Sequence, residues 1–201
     1  MNQNSRKYKK MKSEVRAYII KVAQETFTRF GFRKTTMDEI AFAARKGKSS
    51  LYYYFKSKED VFQAVVEKEA NNLFNEIQKT IDNENTARGK IRAYIYTRMI
   101  GFRNFGNLYE AIKDDFLSNM EFVDKIRFKY DKNEITTLSE IIQLGIDQNE
   151  LRPQDATHTA EMIVIALKGL EIRLMLHKSE PRNYEKMIDD MLEILFNGIA
   201  S

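Results

Sequence analysis

The stretch Thr35–Val61, TTMDEIAFAARKGKSSLYYYFKSKEDV, constrains the fold of this chain more than any other. Thr35 or Thr36 can cap a short helix, and Glu39 follows Thr36 by three residues, the spacing of a capping box. Met37, Ile40, Ala41 and Ala44 recur on the inner face of that helix, and the small alanines allow a neighbouring helix to come close. Arg45, Lys46 and Gly47 make a turn. A second short helix from Lys48 to Phe55 sends Leu51 and Phe55 inward, which leaves Lys48, Ser49, Tyr52 and Tyr53 outward. A helix face rich in hydroxyls and amines and free of carboxylates suits the edge of a duplex groove. Ser57 then caps a third helix, with Asp60 in its first turn. The pattern is a helix-turn-helix.

Around this stretch the chain is expected to be all-α. Only 2 Pro and 8 Gly occur in 201 residues, so long helices are rarely interrupted. A first helix is predicted from Ser13, its cap, to Phe30, with Ile19, Ile20, Ala23, Phe27 and Phe30 as a buried stripe and Gly31 as its stop. The helix opened by Ser57 runs on to Ile81, too long for a DNA reader alone, so it is expected to link two domains. The polar run DNENT, Asp82–Thr86, ends it. Helices follow over 87–103, 108–117, 121–148, 155–177 and 183–199, about nine in all. The domain expectation is 1–57 for DNA binding and 58–201 for effector binding and dimerisation.

Charge divides the chain in the same way. Residues 1–60 carry 15 Lys/Arg against 6 Asp/Glu, a balance of +9, and the rest carries 18 against 23, a balance of −5. A basic N-terminal third on an acidic remainder points to an anionic partner met by one part only. Residues 1–12, with Arg6, Lys7, Lys9, Lys10 and Lys12, read as a flexible basic arm, able either to touch phosphates or to serve as a solubilising tail. They lack the apolar core of a signal peptide, and no run approaches the roughly 18 apolar residues of a membrane span, so no membrane partner and a cytosolic location are expected. The absence of Cys excludes disulfides, thiol chemistry and cysteine-based metal sites.

The last two helices are more apolar than one buried face requires. An antiparallel pair of this kind from each subunit makes an intersubunit four-helix bundle, and a DNA reader gains from two-fold symmetry. Ile163, Leu167, Leu170, Leu174, Met187, Met191 and Leu195 are the expected dimer interface.

Phe27, Gly31, Thr35, Thr36, Ile40, Ala41, Ala44 and the run LYYYFKSKEDVF from Leu51 to Phe62 resemble the TetR family of transcriptional regulators. The likeness is dense over the first third and extends to the remainder only in helix number and length. It implies an all-helical homodimer whose N-terminal three-helix domain binds a palindromic double-stranded operator, with a C-terminal helical domain that dimerises and encloses a small-molecule effector. It further implies a bacterial cytosolic repressor. By resemblance, Lys48–Tyr54 is the recognition helix, and Thr36, Ser50, Tyr52, Tyr53 and Lys58 fall at DNA-contacting positions. Charge and donor chemistry add Lys46, Lys48 and Ser49 to that set. The turn departs from the family's usual Gly, apolar, Ser/Thr, so the apolar core contact and the hydroxyl cap of the recognition helix are missing while two cations are gained.

For the effector, Tyr94, Arg98, Met99, Phe102, Phe105, Tyr109, Phe116 and Met162 are the candidate pocket, with Arg98 able to orient an anionic group. Residue by residue the same aromatics read first as core, and it is the resemblance that makes them a pocket. The expected ligand is apolar or amphipathic. No catalytic constellation, metal spacing or phosphate loop stands out, so no enzyme activity, cofactor or metal is expected. Two other functions fit the composition: a helical protein-interaction adaptor, and a nonspecific DNA-binding protein without an effector.

Overall fold

The computed structural model describes residues 3–104, 106–107, 121–152, 155–176 and 184–198, with side chains over 6–101, 106–107, 128, 130–152, 155–170 and 185–198. Among these residues every regular element is an α-helix: α1 Gln3–Phe30, α2 Met37–Ala43, α3 Lys48–Tyr54, α4 Lys58–Asp82, α5 Ala87–Asn104, α6 Glu121–Asp147, α7 Ala156–Leu176 and α8 Tyr184–Asn197. The helix expected over 108–117 lies outside the described residues.

The helices gather into two compact units. The first holds α1, α2, α3 and α4 as far as Ala70, together with Gly106 and Asn107. The second begins at Asn71 and holds the rest of α4 with α5 to α8. Compactness therefore divides the chain within α4.

In the first unit, the boundaries follow local chemistry. Thr36 and Glu39 form the capping box: the Glu39 amide donates to Thr36 Oγ1 at 3.3 Å and the Thr36 amide donates to Glu39 Oε2 at 2.7 Å. Such a cap contributes about 1 kcal/mol. The end of α2 is equally specified. The Lys46 amide donates to the Ala41 carbonyl and the Arg45 amide to that of Phe42, the two bonds of a Schellman motif. Arg45 takes the left-handed conformation the motif needs, φ 51°, where glycine is the usual residue. Ser57 accepts the Asp60 amide at the start of α4, and Asp60 accepts that of Lys56.

Leu51, Phe55, Ile40, Ala41 and Ala44 are buried, as the pattern predicts, and so are Ile19, Ala23 and Phe27 of α1 and Val61, Phe62 and Val65 of α4. Phe27, Phe32 and Phe62 form a ring cluster, with Phe27 and Phe62 edge to face at 5.1 Å between centroids. Two expectations for α1 are corrected. Phe30 is 52% exposed, outside the stripe, because α1 ends there and Gly31 turns the chain at φ 78°. The helix begins at Gln3, not Ser13, so the basic segment expected to be a flexible arm is helical from residue 3 onward.

The second unit is built by α6 packed along α7 and by α5 packed on α6 and α8. Ile91, Tyr94, Ile95, Met99, Leu138, Ile142, Ile163, Leu167 and Ile188 form its core. The start of α5 is capped from afar: Glu150 Oε2 accepts the Ala87 amide at 2.8 Å and that of Arg88 at 3.4 Å. Asn149, at φ 58°, turns the chain after α6 through a second Schellman motif and places Glu150 for that task. No helix among the described residues is long and apolar enough to cross a membrane.

Candidate nucleic-acid interface

Helix α3 is held from one side. Leu51 is fully buried and Phe55 nearly so, while Lys48, Ser49, Tyr52 and Tyr53 are exposed and Lys46, Ser50 and Tyr54 half-buried. Gly47 is its N-cap and makes no side-chain cap bond, as the departure in the turn implies. The first amides of α3 are therefore left to solvent or to an incoming acceptor, and an anion is favoured at a helix start. Thr36, at the opening of α2, is also exposed.

Two of the candidate cations have partners within the first unit. Lys48 Nζ lies 2.9 Å from Asp38 Oδ1, and hydrogen bonding to Asp38 raises the Lys48 pKa. Both side chains are exposed, so this pair can exchange for a phosphate at little cost. Lys58 is half-buried, donates to the Phe32 carbonyl at 2.9 Å and sits 4.3 Å from the centre of the Phe32 ring. It ties the start of α4 to the loop before α2, so that one of the three ammonium protons is committed and the rest remain for an acceptor.

Tyr53 is engaged in a way that the pattern of α3 does not signal. Lys12 Nζ stands 4.6 Å over its ring. Hydrogen bonding to Tyr8, then to Lys12, holds the Tyr53 phenol below its usual pKa, and the bond to Tyr53 raises that of Tyr8. One turn further along α1, the Arg16 guanidinium stands 4.9 Å over the ring of Phe55. Tyr8 and Arg16 stand outside the residues that the sequence singles out for the site. Their only local signal is the i, i+4, i+8 spacing of Tyr8, Lys12 and Arg16, and the position of α3 shows what that face meets.

The candidate effector residues divide differently. Tyr94, Arg98 and Met99 are buried in the core of the second unit. The Arg98 guanidinium is bound to Glu134, Nε to Oε1 at 2.5 Å and a terminal nitrogen to Oε2 at 3.1 Å, so the group expected to orient an anionic effector already holds a carboxylate. Met162 is exposed on α7 rather than turned toward those three. The side chains of Phe102, Phe105, Tyr109 and Phe116 lie outside the described residues. A separate open cleft of about 550 Å³ is lined by Thr80, Asn83, Arg92, Tyr96 and Thr97, a more polar set on other positions of α4 and α5. Arg92 there is paired with Asp189 at 2.7 Å.

Packing divides the residues of the expected dimer face. Ile163 and Leu167 point into their own unit, and Leu170, Met187 and Met191 are half-buried. Leu195 is exposed as expected, and the side chain of Leu174 lies outside the described residues. The apolar face left open on α7 is one helical step away, at Met162, Ile165, Ala166 and Gly169, with Ile194 beside Leu195 on α8. A nearly uniform apolar helix gives no periodic signal to fix its rotation, and α6 sets it.

A three-helix reader with one helix offered outward, followed by a helical unit with an unburied apolar stripe, is the architecture of a DNA-binding transcriptional regulator. Known proteins of similar sequence and fold agree. Residues 19–65 match the family model described as bacterial regulatory proteins, tetR family. A transcriptional regulator from Cytophaga hutchinsonii is 31% identical and superposes with a TM-score of 0.71 over 89% of this chain and 91% of that one. The HTH-type transcriptional regulator YhgD of Bacillus subtilis is 25% identical over 146 residues, 71% of this chain and 74% of its own. FadR from Bacillus subtilis, solved in complex with stearoyl-CoA, has a TM-score of 0.70 at 21% identity, covering 92% and 99%. The chain belongs to the TetR family of transcriptional regulators.

Proposed function

We propose that the protein is a homodimeric repressor that sets two copies of α3 into successive major grooves of a palindromic operator and is released by a small apolar or amphipathic effector. The observation that carries the DNA-binding part is α3 itself: one fully buried anchor, Leu51, and an outward surface of Lys48, Ser49, Tyr52 and Tyr53 with no carboxylate. Thr36, Lys46, Lys48, Ser50 and Lys58 supply backbone contacts, and Ser49, Tyr52 and Tyr53 lie where base edges can be met. The functional division is residues 1–57 for DNA and 58–201 for effector and dimer. Dimerisation uses the open stripe Met162, Ile165, Ala166 and Gly169 with Ile194 and Leu195.

The effector is a long-chain acyl thioester or a similarly shaped amphiphile. This follows the stearoyl-CoA carried by FadR of the same fold and the apolar character of the second unit's core. It acts by population shift, preferring an arrangement in which the two α3 helices no longer match the roughly 34–36 Å between half-sites. Because α4 belongs to both units, it is the element that carries this change.

Selection of bound sites from random duplexes tests the reading. A recovered palindrome with half-sites about one helical turn apart is expected. Recovery of no preferred sequence would leave nonspecific binding, and no retention of DNA at low salt would leave the adaptor. Addition of stearoyl-CoA is expected to raise the melting temperature and release the operator, and no shift with any acyl thioester would remove the effector class.

A further inference from the structure

Every side chain described from Arg6 to Glu14 is exposed, and Val15 is the first to be half-buried. Helix α1 therefore overhangs its core from Gln3 by about 18 Å at the rise of an α-helix. No burial supports that overhang, and its charge opposes it. Arg6, Lys7, Lys9 and Lys10 crowd the positive end of the helix dipole, and the first turn holds no acidic residue. A helix start so charged is stabilised by an external anion that satisfies both the side chains and the dipole.

The overhang is not loose, however. Tyr8, Lys12 and Arg16 share one face, and that face meets the recognition element: Lys12 stands over the Tyr53 ring and Arg16 over that of Phe55. The other cations, Lys7, Lys9 and Lys10, are on the exposed remainder of the same helix. An acidic membrane would also attract them. The attachment favours DNA, because it joins the overhang to α3, whose outward surface is hydroxyl-rich and free of carboxylates.

We propose that residues 3–12 are a second DNA-binding element, a basic helical rail that neutralises phosphates flanking each half-site, and that Tyr53 is the post that positions it. This rests on the DNA-binding reading of α3 and adds to it the site and the role of Tyr53. The rail contributes affinity and salt dependence without sequence preference, since phosphates carry none. An overhang of about 18 Å matches about five base pairs at 3.4 Å each.

The test compares wild type with a Lys7→Gln/Lys9→Gln/Lys10→Gln variant on a selected operator, once trimmed to its half-sites and once extended by flanking sequence. On the extended duplex the slope of log affinity against log salt is expected to fall by about 0.9 for each phosphate that is no longer neutralised. On the trimmed duplex the two proteins are expected to bind alike. Lys12→Met, which removes the cation from over the Tyr53 ring, is expected to lower the slope by more than the ~0.9 of a single phosphate and to keep the preference for operator over random duplex. An unchanged slope in the triple variant overturns the rail, as does an equal loss on both duplexes. Collapse of the operator preference in Lys12→Met makes its contact with Tyr53 part of base reading and overturns Tyr53 as the post. Wild-type binding to anionic phospholipid vesicles, lost in the triple variant while operator binding stays intact, overturns DNA as the partner. If wild type prefers no duplex at all, the proposed function itself fails, which is a different result from any of these.

Discussion

The two units solve the same problem, burying an apolar helix face, by opposite means. In the first, the stretch from α2 to the start of α4 is bounded by residues within a few positions in sequence: Thr36 with Glu39, Arg45 and Lys46 with Ala41 and Phe42, Ser57 with Asp60. In the second, the helices are long and the deciding contacts are remote. Glu150 caps α5 across 63 residues, Arg98 meets Glu134 across 36, and α6 chooses which side of α7 is hidden. Local caps hold a small reader in a fixed shape. Long apolar helices with one unburied stripe leave a surface that a second subunit can cover. A regulator needs both, a rigid element to match the groove and a larger one whose packing can have alternatives.

The sharpest way to break this contrast is at the buried ion pair. Glu134→Ala takes from the buried Arg98 a carboxylate that binds two of its guanidinium nitrogens, with an expected loss of about 3 kcal/mol in urea unfolding. The double variant Arg98→Met/Glu134→Leu is expected to recover most of that loss, because replacing a buried pair by apolar residues is often neutral. If Glu134→Ala proves silent, the second unit does not depend on remote polar contacts.

A smaller effect separates the two faces of α7. Ile163, 7% exposed, and Ile165, 61% exposed, are two positions apart. Ile163→Ala is expected to cost about 2–5 kcal/mol of stability, the usual range for a buried aliphatic truncation. Ile165→Ala is expected to change the isolated subunit by less than about 0.5 kcal/mol. In sedimentation at rising dilution, however, Ile165→Ala is expected to shift the dimer toward monomer, and Ile165→Glu to do so more completely. The reverse order of effects would place the interface elsewhere.

The smallest expected change sharpens the first unit. Arg45 holds a left-handed conformation that costs a non-glycine residue on the order of 1 kcal/mol. Arg45→Gly relieves this and adds flexibility to the unfolded chain, so a net stabilisation below about 1 kcal/mol is expected. It also removes a cation beside α3, so thermal melting should rise slightly while DNA affinity falls at low salt.

How far the sequence carries depends on the range of the interactions. The capping box, the three-residue turn, the missing hydroxyl cap of α3 and the inward residues Leu51 and Phe55 are all legible, because each depends on neighbours one to four positions away. Periodicity misplaces Phe30 because it runs on past the residue where Gly31 ends the helix. The rotation of α7 is not legible in the sequence, because Met162, Ile163, Val164 and Ile165 offer apolar side chains in every direction. Arg98 reads as a guanidinium available to a ligand because Glu134, which holds it, is on another helix.

The opening stretch, Thr35 to Val61, shows the same division at the scale of one site. By itself the sequence determined that the second of two short helices presents a carboxylate-free face, since helix periodicity and capping act over a single turn. Only the tertiary structure decided that Tyr53 in that face lies under Lys12, more than forty residues earlier. Contacts at that separation depend on how α1 and α3 are packed, and packing is fixed by the whole buried core of the unit rather than by any local pattern.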